Sequence, residues 1–148
     1  MIVDSLRWLG RAARNIPLPL ALHWESCDDD SYGGLYLKPS PKTYLVDGAE
    51  VECARGIIIV NAISSPAGRE VANALAHEFR HHMQQLSGTP CPGQSFRQCL
   101  NREGTYERAI VRFFASNPLE LDALVFSHRV APSDSSANWM DLLQGARR

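Results

Sequence analysis

The segment from Ser65 to Gly88 constrains this chain more than any other, because one helix there has to meet two demands. Val71, Leu75, Phe79, Met83 and Leu86 recur at helical spacing and predict an apolar stripe that packs on a core. Ser65 suits the N-cap, Pro66 the first helical position and Gly88 the residue just past the C-terminus. On an adjoining face the segment reads His77-Glu78-Phe79-Arg80-His81. Histidines at i and i+4 project one turn apart from the same face, so both imidazoles can reach one ion. The glutamate after the first histidine turns off that face, toward a water on such an ion. Two ligands and a general base on one rigid element form the H-E-x-x-H layout of a zinc hydrolase. The plain alternative is a solvated helix face that carries two histidines.

The rest of the chain allows a globular enzyme. Its 148 residues suit one domain, residues 1–148, with one core. A net charge of −1 with no basic stripe gives nucleic-acid binding no electrostatic support. No apolar run approaches the ~20 residues that span a bilayer. The apolar stretch Ile16 to Leu22 is short and holds two prolines, so an export signal is not expected and the cytoplasm is the predicted setting. Cys27, Cys53, Cys91 and Cys99 form no C-x-x-C pair and are expected to be reduced, with Cys91 and Cys99 placed to pair only under oxidation.

Periodicity and turn residues predict an α+β order. Asp4 to Asn15 reads as a short amphipathic helix ended by Pro17. Leu20–Trp24, Leu35–Lys38, Thr43–Val46 and Gly56–Asn61 read as short strands separated by Gly33-Gly34, Pro39 to Pro41 and Asp47-Gly48. Asp47-Gly48 predicts a hairpin between Tyr44–Val46 and Ala49–Val51, and the β-branched run Ile57–Val60 predicts a buried strand. A small, mostly antiparallel sheet is therefore expected before the motif helix. After that helix, Thr89 to Gly104 reads as a long loop. Helices are then predicted over Thr105–Ala115, with an Ile110/Phe113/Phe114 face, over Pro118–Val130, and over Ser136–Leu143.

A catalytic zinc needs three protein ligands and an open position. The candidates for the third are Glu103, Glu107, Glu120, Asp122 and His128. Glu120 stands in Asn117-Pro118-Leu119-Glu120-Leu121-Asp122-Ala123, on a helix that can turn back onto the first, and Ala123 would allow close approach. The same residues also resemble a capping box, with Asn117 at the N-cap and Glu120 at N3. Local sequence leaves these two readings open.

His77-Glu78-x-x-His81 followed by Glu120-x-x-Ala123 resembles the gluzincin branch of the zinc metallopeptidases. It is similar to the small intracellular ImmA/IrrE-type peptidases associated with phages and mobile elements. The resemblance covers about residues 56–130. It implies a zincin-like fold, Zn²⁺ held by His77, His81 and Glu120, and a protein or peptide substrate lying along a strand edge. Position 124 is Leu where many relatives carry Asp or Asn, so the usual partner of a zinc histidine is missing there. Asp122 is a possible substitute, but two residues along a helix is about 200° of rotation. The metzincin extension is absent, since position 87 is Ser and not His.

The implied chemistry is hydrolysis of a peptide bond by a metal-activated water, with Glu78 as general base. Tyr106 and His128 are candidate donors to the tetrahedral oxyanion; their plain readings are a half-buried helix residue and a surface residue near a helix C-terminus. His82 is expected to be exposed or to support a ligand, His23 has no motif, and Trp8, Trp24 and Trp139 are expected to be packing anchors. Two other functions fit the same residues: a zinc hydrolase of a non-peptide amide, and a zinc-bearing interaction module without turnover. The intact Glu78 argues against the latter, because a structural metal needs no base. Nothing in the sequence sets the oligomeric state.

Overall fold

A computed structural model describes residues 18–24, 33–46, 48–61, 68–88 and 95–146. The fold class is the expected α+β, with short strands followed by helices. The strands are β1 (Leu20–Trp24), β2 (Gly34–Leu37), β3 (Thr43–Val46), β4 (Ala49–Glu52) and β5 (Ile57–Asn61). The helices are α1 (Gly68–Leu86), α2 (Phe96–Glu103), α3 (Tyr106–Ser116), α4 (Pro118–Val130) and α5 (Asp134–Ala146).

The strand Ile-Ile-Ile-Val-Asn is buried along its whole length because both of its faces are covered. Alternate side chains go to opposite sides. Ile58 and Val60 join Val71, Leu75, Ala76 and Phe79 of α1 and Phe126 of α4 in one core. Ile57 and Ile59 join Cys53 in a second, against Leu22, Leu37, Tyr44 and Val51. The β3–β4 hairpin thus lies on one face of β5 and α1 on the other. Burying four β-branched side chains of this kind contributes on the order of 1.5–3 kcal/mol each. A third cluster, Ile110, Phe114 and Leu124 with Trp139 and Met140 beside it, holds α3, α4 and α5 together.

Two of the three strand pairings are antiparallel, in line with the mostly antiparallel arrangement expected, and the strands divide into two sheets. β5 is the middle strand of a three-stranded mixed sheet, parallel to β1 and antiparallel to β2. The hairpin forms a separate two-stranded ribbon, with Gly48 at φ 80° in its tight turn. Hydrophobic runs define strands but carry no direction, so the parallel pairing was not legible.

The predicted loop from Thr89 to Gly104 contains helix α2. Ser95 accepts from the Gln98 backbone N–H while the Gln98 side chain accepts from the Ser95 N–H, a complete capping box, and Gly104 at φ 79° closes the helix. Pro, Gly and Cys upstream masked the Ser-x-x-Gln start signal. The last helix also runs further than expected, from Asp134 to Ala146. The stripe on α1 is buried at Val71, Leu75 and Phe79, but Leu86 is exposed. The predicted helix over Asp4–Asn15, the Ser65 cap, and residues Cys27 and Cys91 lie outside the described residues.

Candidate metal centre

Helix α1 carries the motif and α4 packs across it. His77 and His81, one turn apart, meet with ring centroids 5.0 Å apart. Glu120, from the first turn of α4, enters between them. The His77 Nε2 donates to Glu120 Oε2 at 2.8 Å, and the His81 Nε2 lies 3.1 Å from Glu120 Oε1. One donor atom from each of the three lies within 4.8 Å of the others, a group that can hold a metal ion.

The capping reading of Glu120 does not hold. Asn117 makes no side-chain cap bond, and its amide donates instead to the Phe113 carbonyl at 2.7 Å. The carboxylate of Glu120 is taken up by the two imidazoles. Local sequence could not separate these outcomes because both need a carboxylate on the first turn; only the crossing of α4 over α1 decides.

Two imidazole nitrogens and a carboxylate make a donor set that could hold a metal ion. Donors around a tetrahedral zinc, each about 2.0–2.1 Å from the ion, stand roughly 3.3 Å apart. The 2.8 and 3.1 Å separations run to the two different oxygens of Glu120, and one donor atom from each residue lies within 4.8 Å of the others. Two imidazole nitrogens and one carboxylate leave the fourth position open.

The charges are set by burial and mutual contact. Burial would raise Glu120, but hydrogen bonds from His77 and His81 and their charges outweigh it and hold the carboxyl well below the usual range. Burial likewise opposes charge on His81, yet the Glu120 hydrogen bond, the nearby carboxylates and Gln84 push it up to about 9. Glu78 is buried between α1 and the sheet. Its carboxyl is raised, first by burial and also by the Glu120 charge, with the histidines opposing.

These shifts predict a pH profile for the metal-free protein. The stabilisation from His81 is full below its ordinary 6.5 and is lost as pH rises through about 9. That from Glu120 is full above its ordinary 4.5 and is lost as pH falls below it. Charging buried Glu78 adds a cost as pH rises. Denaturant unfolding of chelator-treated protein should be most resistant near pH 4.5–6.5 and lose on the order of 2 kcal/mol by about pH 9. A flat profile would contradict this charge network.

Strand β2 shapes the neighbourhood of Glu78. Gly34 and Tyr36 share a sheet face, and Glu78 and His82 share a face of α1. A Cβ on Gly34 would stand 2.8 Å from Glu78 Cγ and 3.3 Å from the Ile59 carbonyl, so any added side chain would have to push Glu78 aside. Tyr36 and His82 share a 2.7 Å hydrogen bond between the phenol and Nδ1. Burial pushes the phenol up to about 12 and keeps it a donor. His82, expected exposed or in support of a ligand, is 1% exposed and ties α1 to β2. The Gly33-Gly34 pair read as a separator; nothing in the sequence marked Gly34 as the residue that faces Glu78.

The other candidates have partners in the helical half. The Tyr106 hydroxyl accepts from Trp139 Nε1 at 3.0 Å and its ring packs on Phe96. His128 Nδ1 meets the buried Ser136 hydroxyl at 2.8 Å, at the start of α5. Trp139 packs on Phe114 as an anchor. Glu103 pairs with Arg112 and Asp122 with Arg80. Leu124, where a polar partner of a ligand was looked for, is fully buried in the helical cluster. Among the described residues, no helix is long and apolar enough to cross a membrane. Comparison with protein families, with curated proteins and with solved structures returns no match.

Proposed function

We propose that this chain is a zinc-dependent endopeptidase of gluzincin type that acts in the cytoplasm. The observation that carries the reading is the convergence of His77 Nε2 and His81 Nε2 on the Glu120 carboxylate, with Glu78 buried beside them. Zinc bound by these three residues would lower the pKa of a water toward ~7 and polarise a substrate carbonyl. Glu78 then has one task, to accept the water proton and pass it to the leaving amine. Its burial suits that task, because a carboxyl raised from its ordinary value is a stronger base once charged.

Strand β2 is the edge we assign to the substrate. It pairs with β5 on one side and ends the sheet among the described residues. Leu35 is 40% exposed on it. An extended peptide added there would run past Gly34, next to the general base. Gly34→Ala is expected to displace Glu78 and lower turnover roughly 10²-fold, the cost of about 1 Å of misplacement. Zinc content should be unchanged, so kinetics on metal-loaded protein checks it; a fully active Gly34→Ala enzyme would remove β2 from the site.

The test of the whole reading is elemental analysis of purified protein joined to a cleavage screen on a proteome-derived peptide library, with chelation and zinc re-addition. Near-stoichiometric zinc and chelator-sensitive peptide cleavage are expected. A library left intact by zinc-loaded protein, with cleavage of small acyl amides instead, would reassign the substrate.

A further inference from the structure

The two histidines of the site are not held alike, and the difference lies in Gln84. His81 Nδ1 donates to Gln84 Oε1 at 2.7 Å. The Gln84 amide nitrogen donates to the Leu119 carbonyl at 3.0 Å and to Asp122 Oδ2 at 2.8 Å. Both of those partners are acceptors. A flipped amide would face two acceptors with its oxygen, so Oε1 is obliged to point at His81.

The carboxylate that holds Gln84 is itself held. Arg80 Nε donates to Asp122 Oδ2 at 2.8 Å and its terminal nitrogen reaches Oδ1 at 3.3 Å, a forked pair. The guanidinium lies 5.0 Å over the Phe126 ring, which belongs to the core. A continuous set of contacts thus leads from Phe126 through Arg80, Asp122 and Gln84 to one ring nitrogen of His81. Residues 80, 81 and 84 are on α1, and residues 119, 122 and 126 are on α4, the helix that supplies Glu120.

We propose that Gln84, oriented by Asp122 and Arg80, is the positioning residue that keeps the proton of His81 on Nδ1 and turns Nε2 toward the metal. This role rests on the metal-site reading of His77, His81 and Glu120. It also accounts for the apolar residue at position 124: support for the histidine comes from its own helix, three residues on, and not from a polar side chain at that place on α4. Gln84 acts through His81 and touches no reacting atom.

The experiment compares wild type with Gln84→Met, of similar volume, and Asp122→Asn, which leaves Gln84 in place and removes the charge that orients it. Zinc affinity is read by competition with a chromophoric chelator. Long-range ¹H–¹⁵N spectra of the imidazoles read the tautomer and the protected Nδ1–H of His81, with and without zinc. The expected result is a roughly 10–100-fold loss of zinc affinity in Gln84→Met, the usual cost of removing such a partner. The His81 Nδ1–H signal should vanish in that variant while the His77 signals stay. Asp122→Asn should weaken affinity in the same direction, and carries the test alone if Gln84→Met does not fold. Wild-type affinity and an intact Nδ1–H signal in a folded variant would overturn the role of Gln84 and leave the metal site standing. Wild-type protein that shows the Nδ1–H signal but takes up no zinc would overturn the metal-site reading, and this role with it.

Discussion

Glu78→Gln is expected to keep zinc and the fold while losing about 10²–10⁴-fold in turnover, the usual worth of a general base. That loss corresponds to roughly 3–5 kcal/mol of transition-state stabilisation. The retained zinc follows from position: His77, His81 and Glu120 form the donor group, and Glu78 stands outside it. The retained fold follows from shape, since Gln fills the space between α1 and Gly34 that Glu78 fills. A neutral amide also removes the cost of charging a buried carboxyl, so the variant should be at least as stable as wild type above neutral pH. The measurement is cleavage of a substrate found in the library screen, at matched zinc content. Equal activity and equal cellular effect of both proteins, each holding zinc, would replace the enzyme reading with that of a zinc-stabilised binding module.

Glu120→Gln should have the opposite signature, with zinc lost first. The carboxylate accepts from both histidines, and an amide can present only one oxygen and no charge to them. Zinc affinity is expected to fall by more than the roughly 10–100-fold that losing a supporting partner costs. The metal-free protein should change too. Without the anion, only the Glu78 charge and the Gln84 hydrogen bond oppose the burial of His81, and its titration should drop from about 9. NMR titration of the imidazoles reads this directly. Had Glu120 been a capping residue, the substitution would cost about 1 kcal/mol of helix stability and leave zinc untouched. Unchanged zinc affinity would therefore move the third ligand elsewhere.

Several features that the sequence left open share one cause. The parallel pairing of β1 with β5, the burial of His82 and the facing of Gly34 onto Glu78 all depend on which elements meet. Periodicity reports which face of an element is apolar; it is silent on the partner. Helix α2 is a different case, since Ser95-x-x-Gln98 was a legible start signal overridden by the composition around it. Gln84 was partly legible, because residues three apart on a helix touch. What made it matter, an amide locked by Leu119 and Asp122, was not.

Local chemistry was decided by the sequence alone. Two histidines four apart on a helix must share a face, a β-branched run must be buried, and Pro118 must begin a helix rather than continue one, since each of these depends only on covalent geometry and side-chain shape. The tertiary structure decided the role of every residue with two local uses. Glu120 was free to cap its own helix or to reach across 43 positions to His77, and the packing of α4 on α1 chose the latter. Asp122 stays 43% exposed, yet its carboxylate is bonded by Arg80 of α1 and by Gln84, contacts that no local pattern specifies. Such choices rest on contacts between distant segments, whose strength comes from charge and hydrogen bonding in a sheltered site and exists only once the core has brought the two helices together.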